Sequence, residues 1–170
     1  VRYHLCWGSW HGPHAHDIPM RDIVDVMLRV KAQAYLFEAA NARHEHEYTI
    51  WETVKLPADK ILVPGVVSHA TTLIEHPELV SQRIRRFADL VGRERVMGGT
   101  DCGLGLRCHE QIAWAKLKAL SDGAAHASAE TPGSISSSGR PSLPENSTDR
   151  RRWPRVAVNR KPGSSPHDQQ

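Results

Sequence analysis

Four side chains of this 170-residue sequence have the types and spacing to hold a metal ion. His4 and Cys6 stand two apart in a stretch that reads as a strand, and a period of two turns both toward one face. Glu38 follows the apolar run Tyr35-Leu36-Phe37, and Cys102 follows Val96-Met97-Gly98-Gly99-Thr100-Asp101. One imidazole, two thiolates and a carboxylate make a sensible zinc set, tetrahedral and partly soft. A catalytic zinc exchanges one ligand for substrate, and Glu38, the hardest of the four donors, is the natural one to leave. A His–Cys pair two apart is weak by itself; its weight comes from the repetition of donors at strand ends.

Other polar and aromatic residues compete for a role. His44 and His46 in Arg43-His44-Glu45-His46-Glu47 also have same-face spacing, but a charged loop favours solvated or site-lining roles over ligation. His11, His14 and His16 form a polar loop near Cys6. For Trp7 and Trp10 packing is the default and facing a substrate the alternative, and Cys108 reads as a small buried hydrophobe.

The elements that must position these residues alternate between strand and helix. Arg2–Trp7, Ala34–Phe37, Ile61–Val67 and Arg95–Gly99 are predicted strands, the third an almost continuous apolar run suited to a buried parallel sheet. Arg21–Ala32 is a predicted helix with Ile23, Val26, Met27 and Val30 on one face, and a helical turn is expected around Ile50–Val54. Pro77 starts a helix that buries Leu79, Val80, Ile84, Phe87, Ala88 and Val91 and closes at Gly92. Glu110–Ala125 is the last, with Ile112, Trp114, Ala115, Leu117 and Leu120 as its apolar residues. This alternation predicts an α/β fold with parallel βαβ units. His4 and Cys6, Glu38, Ser68 and His69, and Asp101 and Cys102 all fall at or just after strand C-termini, where barrel enzymes build their sites. Four βα units make half of a (β/α)8 barrel, whose closed form takes eight strands and ~250 residues.

Composition divides the chain. Residues 1–127 carry the Val, Leu, Ile and Ala that can bury a core, whereas 128–170 is dominated by Ser, Pro, Arg and Gly and reads as a disordered low-complexity tail. The net charge of +3 comes largely from that tail, where Arg150, Arg151, Arg152, Arg155, Arg160 and Lys161 cluster; a solvated segment is expected there rather than a nucleic-acid site. Three widely spaced cysteines with eleven histidines suit a reducing, cytoplasmic setting and metal binding better than disulfides. No apolar run approaches the ~20 residues that span a bilayer, and no secretory signal opens the chain. The first residue falls inside a predicted strand, as expected of a fragment.

The motifs together resemble a known family. His4-Leu5-Cys6 and Gly99-Thr100-Asp101-Cys102-Gly103-Leu104 resemble the His-x-Cys and Asp-Cys-Gly-Leu motifs of the cobalamin-independent methionine synthase catalytic barrel, and Phe37-Glu38 looks like that family's metal-binding Glu. Cys6-Trp7-Gly8, Gly12-Pro13-His14, Phe37-Glu38-Ala39-Ala40-Asn41, Arg43-His44-Glu45-His46-Glu47, Val54-Lys55-Leu56-Pro57 and Glu75-His76-Pro77-Glu78-Leu79-Val80 are similar to a bacterial subgroup grouped as methionine synthase II, which includes relatives of the epoxyalkane–coenzyme M transferases. The resemblance spans residues 1 to about 127 and corresponds to the C-terminal half of the barrel.

It implies a Zn2+ held by His4, Cys6, Glu38 and Cys102, with Asp101, Trp7, His44 and His46 beside the site. Zinc in this family binds a substrate thiol and lowers its pKa, and the thiolate attacks an electrophilic carbon. The implied reaction is S-methyl transfer from a methylated folate to homocysteine, in methionine biosynthesis; the alternatives are transfer to an epoxide or other alkyl donor, or an inactive zinc-binding fragment. A zinc-free decarboxylase sharing the barrel would not need His4, Cys6 and Cys102 together. The family's proton donor is a His after the third strand of this half. His69 lies close, but an ungapped comparison puts Ala70 there, and a one-residue slip near a strand end reverses a side chain. Three departures stand out: no counterpart of the barrel half that contacts the substrates, a Ser/Pro/Arg tail that looks like a frameshift product in place of a basic and aromatic helix ending, and the extra Cys108. An open half-barrel would expose strand edges and is expected to self-associate.

Overall fold

A computed structural model describes residues 1–8 and 12–129. Trp10, His11 and the basic cluster from Arg150 to Lys161 lie outside them, as does all but the first two residues of the expected 128–170 tail.

The described chain is a parallel four-stranded sheet with helices between its strands. Strands β1 (Arg2–Leu5), β2 (Ala34–Phe37), β3 (Ile61–Val67) and β4 (Gly99–Thr100) lie side by side in chain order, and every pairing is parallel. Helices α1 (Met20–Arg29), α2 (Pro77–Val91) and α3 (Glu110–Ala129) are joined by a 3₁₀ segment at Glu45–Glu52. Each βα step returns the chain to the same end of the sheet, so the loops after β1, β2, β3 and β4 share one rim. Among the described residues no helix is long and apolar enough to cross a membrane.

Two apolar clusters hold the helices to the sheet. Met20, Val24 and Met27 of α1 pack with Tyr35 and Phe37 of β2, Trp51, Leu62, Phe87 and Val91. Val66 and Val67 of β3 pack with Val80 and Ile84 of α2, joined by Leu120 and Ala124 of α3. His76 caps α2, its Nδ1 accepting from the Glu78 amide at 3.1 Å, and Pro77 fills the first helical position, where no amide is needed.

The structure corrects several expected details. β1 ends at Leu5, so Cys6 follows the strand instead of lying in it. The buried face of α1 is Met20–Val24–Met27, which packs with Tyr35 and Phe37, and Val26 points outward; the Met20 amide at the helix start is capped from a distance by Glu47 at 2.7 Å. The fourth strand is not Arg95–Gly99. Arg93–Arg95 forms a 3₁₀ turn, Val96 makes a single bridge to Leu62, and pairing resumes at Gly99 across an irregularity between Gly65 and Val67. In α3, Trp114 and Leu117 are exposed while Lys116 is fully buried, its Nζ donating to Glu75 Oε2 at 2.9 Å and to the Leu73 carbonyl. Leu79 is also partly exposed.

Candidate metal centre

β1 and β4 are the two edges of the sheet, and in a flat sheet three strand spacings would hold them ~14 Å apart. Yet Cys6, just past β1, and Cys102, just past β4, bring their sulfurs to 3.8 Å. The sheet curls, and the loops leaving its edges meet over its rim. His4, Cys6 and Cys102 offer ligand atoms that all lie within 4.8 Å of one another. The turn after Cys6 contributes: Gly8 has φ of 94°, a region glycine enters freely, and its amide donates to Cys6 Sγ at 3.3 Å. The Cys6 residue is exposed, but its sulfur sits against Cys102 and Glu38. Lost hydration, then Cys102 and Glu38, lift the thiol to about 11 in spite of the Gly8 amide.

Glu38 joins the donors from below. It is 1% exposed and belongs to a second, buried group with His69 and Asp101, whose ligand atoms also lie within 4.8 Å of one another. Its Oε1 accepts from the Trp7 amide at 3.2 Å and stands 3.6 Å from Cys6 Sγ. Its Oε2 accepts from Asn41 Nδ2 at 2.8 Å and from Arg43 at 2.9 Å. Two of these partners, Asn41 and Arg43, were assigned no role from sequence. The signal was available: both are polar residues within five positions of a candidate ligand at a strand end.

Asp101 is the hub of the buried group. Its Oδ1 accepts from the amides of Ala39 and Ala40 at 2.7 and 2.8 Å, and its Oδ2 from Asn41 at 3.0 Å, which ties the exit of β4 to the exit of β2. Gly65 makes room: a Cβ there would lie 2.2 Å from Asp101 Oδ1 and 2.5 Å from its Cα. Burial pushes the Asp101 carboxyl up, and the two amides and Asn41 only partly offset it. His69 is 3% exposed, and its Nδ1 has no hydrogen-bond partner among the described residues. Burial lowers its pKa, against the pull of Glu38 and Asp101 in the other direction.

The remaining sequence candidates divide. Trp7 is half-buried, stacks on the His44 ring at 4.0 Å and donates from Nε1 to the Ile18 carbonyl at 2.7 Å. His44 is buried rather than solvated, held by Glu47 at 2.8 Å, while His46 is exposed. A cavity of about 350 Å³ is lined by His14, Asp17, Arg43, His44 and His46 among others, and by none of His4, Cys6 and Cys102. Cys108 is half-buried, with its sulfur 3.9 Å from the Leu104 carbonyl.

Comparison with known proteins follows the same line. No protein-family model matches the chain. A 2-hydroxypropyl-CoM lyase from Xanthobacter autotrophicus is 28% identical over 146 residues, covering 71% of this chain and 38% of that protein. A B12-independent methionine synthase from Shewanella sp. W3-18-1, solved in complex with selenomethionine, superposes with a TM-score of 0.57 at 20% identity, covering 74% of this chain and 37% of that one. The chain thus spans less than two-fifths of the length of each. The chain is thus similar in sequence to a 2-hydroxypropyl-CoM lyase and shares the fold of part of a B12-independent methionine synthase.

Proposed function

We propose that this chain carries the zinc-binding part of a thiol-alkylating barrel enzyme, with His4, Cys6, Glu38 and Cys102 as the ligands and S-methyl transfer from a methylated folate to homocysteine as the reaction. One observation carries the reading. Two thiolates on a tetrahedral zinc at ~2.3 Å stand ~3.8 Å apart, and a thiolate and a carboxylate oxygen stand ~3.6 Å apart. The sulfurs of Cys6 and Cys102 are 3.8 Å apart, and Cys6 Sγ is 3.6 Å from Glu38 Oε1. His4 offers a ring nitrogen within 4.8 Å of both sulfurs, and these separations suit the ion.

Zinc bound there would hold a substrate thiol as its thiolate at neutral pH. The chain's own residues would do the rest. Burial, with Cys102 and Glu38 beside it, raises the Cys6 thiol to about 11, and a bound cation would favour its thiolate. Asp101 and Asn41 fix the loop that presents Glu38. His69, buried beside Glu38 and Asp101, would supply the proton that the leaving nitrogen requires.

A second reading, thiol transfer to an epoxide, is favoured by the name of the 28% identical relative, 2-hydroxypropyl-CoM lyase. The purified chain should retain about one zinc, and Cys102→Ser should lose it; retention as in wild type would remove Cys102 from the set. Supplying homocysteine with methylated folate, then a small thiol with an epoxide, separates the two chemistries. Transfer to neither, with zinc retained, would leave an inactive zinc-binding chain.

A further inference from the structure

Glu38 has two carboxylate oxygens, and the protein treats them differently. Oε1 faces Cys6 and accepts from the Trp7 amide at 3.2 Å and from the Cys6 thiol at 3.6 Å, with no cation beside it among these contacts. Oε2 is clamped from the other side by Asn41 and by the Arg43 guanidinium. Arg43 is itself held in place: its second nitrogen donates to Asp17 Oδ2 at 2.8 Å, and its backbone amide donates to the Asn41 side-chain oxygen at 3.0 Å. Asn41 is fixed in turn by Asp101. The fork is therefore aimed before any ligand arrives.

A guanidinium is a permanent cation. Beside Glu38 it does two things at once. It draws electron density from the carboxylate, weakening Oε1 as a donor to a second cation. It also supplies a partner for the carboxylate when Oε1 lets go, which matters because an unpaired buried charge is costly. No other donor of the set has such an alternative among the contacts described above.

We propose that Arg43 is the positioning residue that makes Glu38 the exchangeable ligand of the site. The proposal rests on the zinc reading above. When a thiol enters as its thiolate, its proton goes to solvent, and Glu38 stays paired with Arg43 as a neutral ion pair in the buried pocket.

The test compares wild type with Arg43→Gln in the full chain, reading metal and thiol binding separately. Zinc affinity is measured by chelator competition. Thiol entry is followed in the cobalt(II)-substituted protein by the sulfur-to-cobalt absorption that grows as 2-mercaptoethanol is added. Freed from Arg43, Glu38 should hold the metal as tightly as before or more so, while half-saturation by the thiol should need about tenfold more of it, the scale on which outer partners tune metal sites. A purely structural role would instead weaken zinc and thiol binding together, and that result would overturn the proposal, as would no change in either. Arg43→Lys, which keeps the charge but not the fork, should shift thiol binding in the same direction by less, and stands in if the Gln variant does not fold. Wild type that binds neither zinc nor cobalt would remove the zinc reading itself; wild type that binds both, with unaltered variants, would remove only the role of Arg43.

Discussion

The outer donors and the inner carboxylates of this site lie a few ångströms apart and are held in opposite ways. His4 and Cys6 are exposed and Cys102 is half-buried, and they meet because loops from the two edges of a curled sheet converge. Glu38, Asp101 and His69 are each at most 3% exposed, and the two carboxylates accept hydrogen bonds from Trp7, Ala39, Ala40, Asn41 and Arg43. The outer set is available to an ion and adds little to the fold. The inner set is part of the fold and constrains what the ion can do. The division follows from desolvation: a buried carboxylate must be fully hydrogen-bonded, whereas an exposed thiol or imidazole is not so constrained.

The largest expected contrast comes from removing one member of each set. Asp101→Ala strands three N–H donors, each costing ~1–3 kcal/mol, and should lower urea stability by about 3 kcal/mol or more. Cys6→Ser should change the stability of the metal-free protein by less than ~0.5 kcal/mol. Equal losses would erase the distinction.

Gly65→Ala probes the inner set without touching a donor. Its Cβ would press on Asp101 Oδ1 and on the backbone behind it, and overpacking of this kind costs ~1–3 kcal/mol. Stability unchanged from wild type would mean that Asp101 is less tightly seated than its hydrogen bonds indicate.

The smallest effect is a pH slope. The folded-state pKa of His69 is lowered by burial, so between that value and the ordinary 6.5 the folded protein binds fewer protons than the unfolded chain. The contribution is fully present above 6.5 and is lost as the pH falls through that window. His69→Asn should flatten the dependence of the melting temperature between about pH 7.5 and about pH 5.5. An unaltered slope would show that acid sensitivity lies elsewhere.

Much of the architecture was legible where the signal is local. β2 and β3 end where their apolar runs end, and α2 begins at Pro77 and closes at Gly92 because capping chemistry is written in adjacent residues. The failures share a cause. Val26 points outward and Trp114 and Leu117 are exposed because burial depends on what packs opposite, which periodicity does not contain. Lys116 is buried because Glu75, forty-one positions away, meets it. β4 is displaced because its pairing follows the irregular register of β3 rather than its own apolar residues. Of the two roles open to His44, solvated or lining the site, burial under Trp7 and the contact with Glu47 exclude the first.

The sequence by itself determined which donors exist and that they stand at or just past strand ends, since residue type and the ends of apolar runs are properties of the chain alone. Only the tertiary structure decided that sulfurs from opposite edges of the sheet come within 3.8 Å. It also decided that Glu38 keeps one oxygen toward them and gives the other to Asn41 and Arg43. Sheet curvature and the sharing of a buried charge arise from packing among distant segments, and no local pattern encodes them.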